Sequence, residues 1–402
     1  MRFYLILLLL ATFSISGANN SKTVKQAEKL AGNFSRLDEA REKINSALHD
    51  SLCPPDARTY FVAGKIEEGA FRHYYKQLAI NQADPNIDRT QMADALLAAR
   101  DYYLKALPLD SIRDKKGNLQ TKYSPHIAEF LNSITPSLYN AGVAYMNKRI
   151  YYPQGYNAFR AYAETPQYSW YKPAQLAITD SIQASSWFYA GVMAYNAEQY
   201  SIAAQSFARA HKLGYPKKEV LLNEMTCLSR IASTDAHLTD SLTHRITALA
   251  AEGHRRFGLS TPVFIKKYVA GLLLEERNDS AMSIVENALR TDSVSPLLHS
   301  MRAALLRDAG KLHEAADAYL IAASLEGADP LTQRDAAKTI ARYGIEIISE
   351  IKGTGKSARE SRKNIRTKYL QPALHYAEKA KESFPNDPDI ENTINTIQYY
   401  LH

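Results

Sequence analysis

The segment Ser185–Pro216 reads SSWFYAGVMAYNAEQYSIAAQSFARAHKLGYP. In its second half, Ala203 and Ala210 flank the bulky Phe207 at spacings of four and three residues. This spacing places all three side chains on one stripe of an α-helix. The two alanines allow a second helix to approach closely, and the bulky residue fills the gap between the helices. The segment therefore predicts two packed helices.

The same stripe of small, bulky and small residues occurs at five other places, so the packing unit repeats along the chain. The other copies are Ala40/Ile44/Ala47, Ala99/Tyr103/Ala106, Ala281/Val285/Ala288, Ala315/Tyr319/Ala322 and Ala373/Ala377/Ala380. The last copy has only Ala at its middle position. Such a unit cannot bury its face alone and must stack on neighbouring copies. The sequence therefore predicts an array of helix pairs, each in contact with its neighbours.

A second signal marks the first helix of three pairs. A large residue precedes an Ala-Gly pair by three positions at Tyr60 and Ala63-Gly64, at Leu138 and Ala141-Gly142, and at Trp187 and Ala190-Gly191. Glycine inside a helix costs roughly 1 kcal/mol relative to Ala. Its recurrence at a fixed offset therefore indicates that a partner helix packs closely against it.

These motifs resemble the tetratricopeptide repeat (TPR). The matching positions of the first segment are Trp187, Ala190, Gly191, Ala194, Tyr200, Ala203, Phe207, Ala210 and Pro216. His299–Gly327 resembles a second unit, and Ala281 and Ala315 are 34 residues apart, which is the period of the family. The resemblance implies an all-α, right-handed superhelical solenoid of about eight TPR-like helix-turn-helix pairs. The arrangement is also similar to exported TPR proteins of Bacteroidota.

Residues 1–18 have the features of a signal peptide. Arg2 supplies a positive charge, Phe3–Phe13 is apolar, and Ser16-Gly17-Ala18 offers a cleavage site. The apolar run is shorter than the roughly 20 residues of a membrane span, although an uncleaved anchor remains the alternative. We expect an exported protein, periplasmic or at the cell surface, whose mature chain has no transmembrane segment. No Cys follows the apolar run, which argues against a lipid anchor.

The predicted domain organisation has three parts after the signal peptide. They are N-terminal TPR-like repeats with insertions at 19–135, central TPR repeats at 136–330, and a C-terminal TPR with a basic insertion and a capping helix at 331–402. We expect residues 111–135 to form an irregular connection. The fifth helix pair, at 218–260, is degenerate. The apolar content of 46% argues against disorder.

No motif in the chain predicts catalysis, a cofactor or a metal. Gly353-Thr354-Gly355-Lys356-Ser357 resembles part of a phosphate-binding loop, but Glu350 occupies the position of its first Gly, and the preceding segment is predicted to be helical. His237, Asp240 and His244 share a helical face, which we interpret as solvated. Cys53 and Cys227 are interpreted as packing residues, with a disulfide as the alternative.

Residues 352–368 carry seven Lys or Arg residues and one acid, Glu360. Such a run can contact an anionic membrane, a glycan or a nucleic acid, and it can also keep an insertion soluble. We interpret it as a solvated insertion, and the expected export argues against nucleic acid. The formal net charge of +7, spread over the whole chain, attracts anionic partners only mildly.

The resemblance also implies which residues face the concave groove. Such residues follow the large residue of each first helix by one and eight positions, which selects Phe61 and Glu68, Tyr139 and Met146, and Phe188 and Tyr195, with Asn147 and Asn196 next in sequence. Rigid aromatics beside amides suit an extended peptide or a sugar chain. The alternative is that most of these aromatics fill gaps between helices. The candidate partner-binding residues are Phe61, Tyr139, Met146, Asn147, Phe188, Tyr195 and Asn196.

We therefore predict a non-enzymatic scaffold or adaptor that binds a protein or peptide partner through its groove in the cell envelope. A rigid groove lowers the conformational entropy that binding costs. One alternative is a glycan- or nutrient-binding accessory protein at the outer membrane. Another, which the sequence favours least, is a helical-superhelix enzyme that acts on peptidoglycan.

Overall fold

The structure is a computed structural model that describes residues 21–80, 88–113, 115–117, 119–174 and 176–402. It is predominantly helical and divides into two compact units, the first ending at Asp235 and the second beginning at Ala236. The predicted signal peptide lies outside the described residues. The predicted domain boundaries at 135 and 330 stay predictions.

In the first unit, each helix from α3 onward packs against the next helix in the chain. The helices are α1 (21–30), α2 (Leu37–Leu48), α3 (Ala57–Ile80), α4 (Arg89–Ala106), α5 (Ser124–Tyr145), α6 (Tyr152–Glu164), α7 (Asp180–Asn196), α8 (Tyr200–Lys212) and α9 (Glu219–Ala232). The short strands β1 (Ile112–Arg113) and β2 (Leu119–Gln120) pair antiparallel between α4 and α5, with Ile112 opposite Gln120. Contacts between sequential helices are those of a repeat array.

The second unit follows the same rule. Its helices are α10 (Thr239–Phe257), α11 (Pro262–Leu274), α12 (Asn278–Thr291), α13 (Pro296–Asp308), α14 (Leu312–Ser324), α15 (Pro330–Glu350), α16 (Lys356–Ile365), α17 (Gln371–Ser383) and α18 (Pro388–Leu401). Helix α15 packs directly on α17, so α16 is an insertion within that pair, and a π-helical turn at Arg366–Leu370 joins α16 to α17. Helix α18 covers α15 and α17.

The small-residue stripes form the contacts between helices, as predicted. Every residue of the six stripes is at most 8% exposed. A methyl group at Gly191 would lie 2.7 Å from the Phe207 ring, and one at Gly142 would lie 2.7 Å from the Phe159 ring. Each glycine therefore receives the aromatic ring of the next helix. The predicted fold class, an all-α array of TPR-like helix pairs, is confirmed.

Three turns within helix pairs close in the same way. In the α7–α8 turn, the amides of Ala197, Glu198 and Gln199 donate to the carbonyls of Met193, Tyr195 and Ala194. The α11–α12 and α13–α14 turns repeat this pattern. The middle residue of each turn has a positive φ, which is 62° for Glu198 in the first turn, 58° for Glu276 in the second and 78° for Gly310 in the third. Glycine fits this conformation without strain, whereas the two glutamates do not.

Two sequence predictions need correction. Residues 111–135 are not irregular throughout, because α5 begins at Ser124. The buried carboxylate of Asp110 accepts hydrogen bonds from the backbone amides of Tyr123 and Ser124, both at 2.7 Å, and thereby caps the helix. In addition, the predicted fifth pair does not lie within one compact unit, since α9 belongs to the first unit and α10 to the second.

Candidate functional site

The seven predicted partner-binding residues all lie in the first unit, on α3, α5 and α7 or directly after α5, but they differ in exposure. Phe61 on α3 is buried at 9% exposure. Its ring stacks on Tyr123 with a centroid distance of 4.5 Å and meets His126 edge-on at 5.5 Å. Phe61 therefore contributes chiefly to packing between α3 and the start of α5.

The other predicted aromatics are half-buried and packed against neighbouring rings. Tyr139 meets Phe159 edge-on at 5.3 Å. Phe188 stacks on Tyr215 at 4.4 Å with an interplanar angle of 9°. Tyr195 meets the ring of Tyr200 edge-on at 5.5 Å, and Met146 is also half-buried. Only Asn147 and Asn196 are exposed. Whether these residues bind a partner stays a prediction.

Glu68, about two helical turns beyond Phe61, is held in a polar network. Its carboxylate accepts hydrogen bonds from Tyr103 Oη at 2.5 Å and Arg72 Nε at 2.8 Å, and lies 3.0 Å from His126 Nε2. Burial raises the pKa of Glu68, but these three partners outweigh burial and lower it below its usual value. Burial, followed by the adjacent Glu68 charge, raises the pKa of Tyr103. A carboxylate engaged in this way is a structural anion, poorly suited to act as a base.

A pocket of about 560 Å³ opens where α3 ends, between the start of α4 and the C-terminal half of α5. Tyr75, 54% exposed, and Val143, 46% exposed, are large apolar side chains at this pocket. Polar groups lie beside them. The lining residues are Tyr75, Leu78, Ala79, Arg89, Met92, Ser137, Asn140, Val143, Ala144 and Asn147.

A second pocket, of about 340 Å³, lies between the α5–α6 and α7–α8 turns. Its lining residues are Arg149, Ile150, Tyr152, Pro153, Asn196, Ala197 and Glu198. Ile150 is 76% exposed, and an exposed ion pair of 3.2 Å joins Arg149 to Glu198. Asn147 of the first pocket and Arg149 of the second are two residues apart. We call the lining residues of the two pockets the docking band.

The docking band contains two of the predicted residues, Asn147 and Asn196, and several that sequence reasoning missed. Tyr75 lies seven residues after Glu68, and Val143 four residues before Asn147, so both continue the stripes that had been selected. The signal was present in the helical period. It was overlooked because the consensus length of a first helix ends before Tyr75, whereas α3 continues to Ile80.

The described residues offer no group of three or more His, Cys, Asp and Glu side chains that could hold a metal ion. His244 Nδ1 instead lies 2.8 Å from a carboxylate oxygen of Glu275. Gly355 is the N-cap of α16 and follows helix α15, so the phosphate-loop motif lacks its strand. In the structure, no disulfide joins Cys53 to Cys227, and burial raises the pKa of Cys227 to about 12.

Among the residues that the structure describes, no helix has the length and apolarity that crossing a bilayer requires.

The fold and the docking band define an all-α repeat protein with a mixed apolar and amide surface. No protein-family model matches the chain, and no curated protein sequence matches it. Among similar solved structures is pilF of Pseudomonas aeruginosa, with a TM-score of 0.35 and 12% identity over 65% of this chain and 97% of that one. Another is a TPR repeats protein of Bacteroides fragilis, with a TM-score of 0.30 and 13% identity over 66% of this chain and 98% of that one. The TPR domain of P58(IPK) aligns over 95% of this chain and 98% of its own, at 15% identity and a TM-score of 0.29. Because these scores are low, the fold assignment rests on the helix contacts described above.

Proposed function

We propose that this protein is a non-enzymatic scaffold that binds an extended segment of a partner protein through the docking band. The observation that carries the proposal is the exposure of Tyr75, Val143 and Ile150 along two pockets that also contain the amides of Asn147 and Asn196. Exposed apolar side chains gain free energy when a partner covers them. The amides can donate to and accept from the backbone of an extended peptide.

Site-specific photocrosslinking tests this proposal. A photoreactive phenylalanine analogue would replace Tyr75 in the protein expressed in its native host. The matched control carries the same analogue at Tyr399, which is 78% exposed and lies on α18. We expect protein adducts at position 75 that exceed those at position 399, and mass spectrometry would identify the attached segment.

A second variant separates specific binding from adventitious contact. Val143→Asp places a charge in the apolar pocket, whereas Val294→Asp makes the same change at a site 68% exposed in the second unit. We expect the first variant to abolish the adducts and the second to keep them. Equal adducts at positions 75 and 399, or equal effects of the two aspartates, would refute the docking band as a binding surface.

We further propose that the protein is exported to the bacterial cell envelope. The support is the charge, apolar run and small residues of 1–18. Fractionation of cells that express the chain with and without these residues tests the idea. We expect the full chain in the periplasmic or surface fraction and the shortened chain in the cytoplasm. Cytoplasmic recovery of both would refute export.

A further inference from the structure

The basic side chains of residues 352–368 divide into two sets with different surroundings. Three of them hold the insertion in place. Arg362 Nη2 donates to the carbonyls of Ile351 at 2.6 Å and Gly353 at 3.0 Å. Arg366 Nε donates to the carbonyl of Tyr400 at 2.7 Å, and Lys368 pairs with Asp317 at 3.3 Å. Each of these contacts lies within the second unit.

The second set has no such role. Lys352, Lys356, Arg359 and Lys363 are exposed. Within the part of the chain that the structure describes, no carboxylate lies within 4.0 Å of their charged nitrogens. Arg359 uses only its Nε, which donates to the Thr354 carbonyl at 3.0 Å, so both of its terminal nitrogens remain for a ligand. Four cations therefore face solvent, and Glu360 is the single acid within residues 352–368.

These cations form a regular row. Lys356, Arg359 and Lys363 are spaced by three and four residues on α16, so they lie on one helical face, about 4.5 and 6 Å apart along the axis. Lys352 lies in the loop that precedes α16. We call these four residues the cationic stripe. Helix α16 has no fully buried side chain, and Ile365 at its end packs against the core, so packing does not explain the cations that precede it. The arginine contacts fix its orientation in advance, which lowers the entropic cost of binding.

We propose that the cationic stripe docks an acidic helical segment of a partner protein. Carboxylates at helical spacings of three and four residues repeat at the same distance as the cations, and the free fork of Arg359 can bind one of them through two hydrogen bonds. A membrane-surface helix would need several large apolar side chains, whereas residues 352–368 contain only Ile365, which packs against the core, and no aromatic ring for base stacking. The surface belongs to the second unit and is separate from the docking band.

Fluorescence anisotropy with the full-length protein tests this inference. The probe is a labelled alanine-based helical peptide with glutamates at positions i, i+3 and i+7, and its matched control has glutamines there. We expect the glutamate peptide to bind at least about tenfold more tightly, and its affinity to fall steeply as salt rises from about 50 to about 500 mM. The double variant Lys356→Gln/Lys363→Gln should weaken binding about tenfold.

The control variant Lys266→Gln/Lys267→Gln removes the same charge from two exposed lysines of α11 in the same unit. It should keep the affinity of the glutamate peptide within about twofold. An equal loss in both variants would overturn the proposal, since it would indicate general charge attraction. Tighter, stripe-dependent binding to duplex DNA or to vesicles with about 30% phosphatidylglycerol would overturn it in favour of those partners. Absence of peptide binding would also overturn it. Val143→Asp should leave peptide affinity unchanged, so failure here is distinguishable from failure of the docking band.

Discussion

The contact between Gly191 and Phe207 gives the sharpest test of the packing argument. In the Gly191→Ala variant, the new methyl group would lie 2.7, 2.8 and 3.0 Å from three carbons of the Phe207 ring. Phe207 is fully buried, so the ring has little freedom to move away. Real side chains do not tolerate such distances, and either the ring or helix α8 must shift.

Two opposing effects determine the free energy of unfolding of this variant. Overpacking of a core costs about 1–3 kcal/mol. Replacement of a mid-helix glycine by Ala gains about 1 kcal/mol in helix propensity. We therefore expect a net loss of about 0–2 kcal/mol. In the Phe207→Ala background, which itself costs about 3–5 kcal/mol, the ring is absent and the clash disappears. Gly191→Ala should then stabilise the protein by up to about 1 kcal/mol.

A double-mutant cycle in urea measures this change of sign. Both tryptophans, Trp170 and Trp187, belong to the first unit, so their fluorescence reports the unfolding of that unit. Gly344→Ala, whose methyl group would meet Leu370 in the second unit, serves as a control that should leave the tryptophan transition in place. If Gly191→Ala had the same effect in both backgrounds, the glycine would not be needed for close approach and the packing argument would fail.

Three further outcomes follow from the geometry. Because the φ of Glu198 is 62°, Glu198→Gly should stabilise the first unit by about 1 kcal/mol in urea unfolding. Gly310→Ala should destabilise the second unit by a similar amount. A loss of stability in Glu198→Gly would contradict this reasoning. Because the pKa of Glu68 is lowered in the folded protein, its contribution to stability is complete above about pH 4.3 and is lost as pH falls through the folded-state value. Glu68→Gln should therefore flatten the dependence of the unfolding free energy on pH below about pH 4.3, and an unchanged slope would exclude this role. Cys227, whose pKa is raised to about 12, should resist a thiol reagent that modifies the partly exposed Cys53. The reagent should therefore count one reactive thiol in the folded protein and two after unfolding.

The helix pairs could be predicted from sequence because their signal is local. Each stripe lies within two helical turns, and each Ala-Gly pair lies three residues from its large residue. The contacts that these motifs make are therefore fixed by the 3.6-residue period and by side-chain volume. For this reason the predicted pairs α3–α4, α5–α6, α7–α8, α11–α12, α13–α14 and α15–α17 all appear in the structure.

The features that sequence reasoning missed depend on contacts between distant residues. Asp110 caps α5 from fourteen residues before Ser124, a spacing that no capping motif describes. Phe61 was assigned to the groove from its repeat position, yet Tyr123, at the end of an insertion, covers it. The insertions therefore changed the surface of the first unit, while the repeat pattern itself carried no information about them.

The same reasoning explains where a partner can bind. Gly64 marks a close approach of α3 and α4, because a methyl group added there would lie 2.5 Å from the Tyr103 ring. The first pocket begins at Tyr75, eleven residues later, or about 16 Å further along the helix. Close packing requires small residues, and small residues leave little side chain to recognise a ligand. The proposed docking band therefore lies on the parts of α3 and α5 beyond the glycine contact, where Tyr75 and Val143 stay exposed.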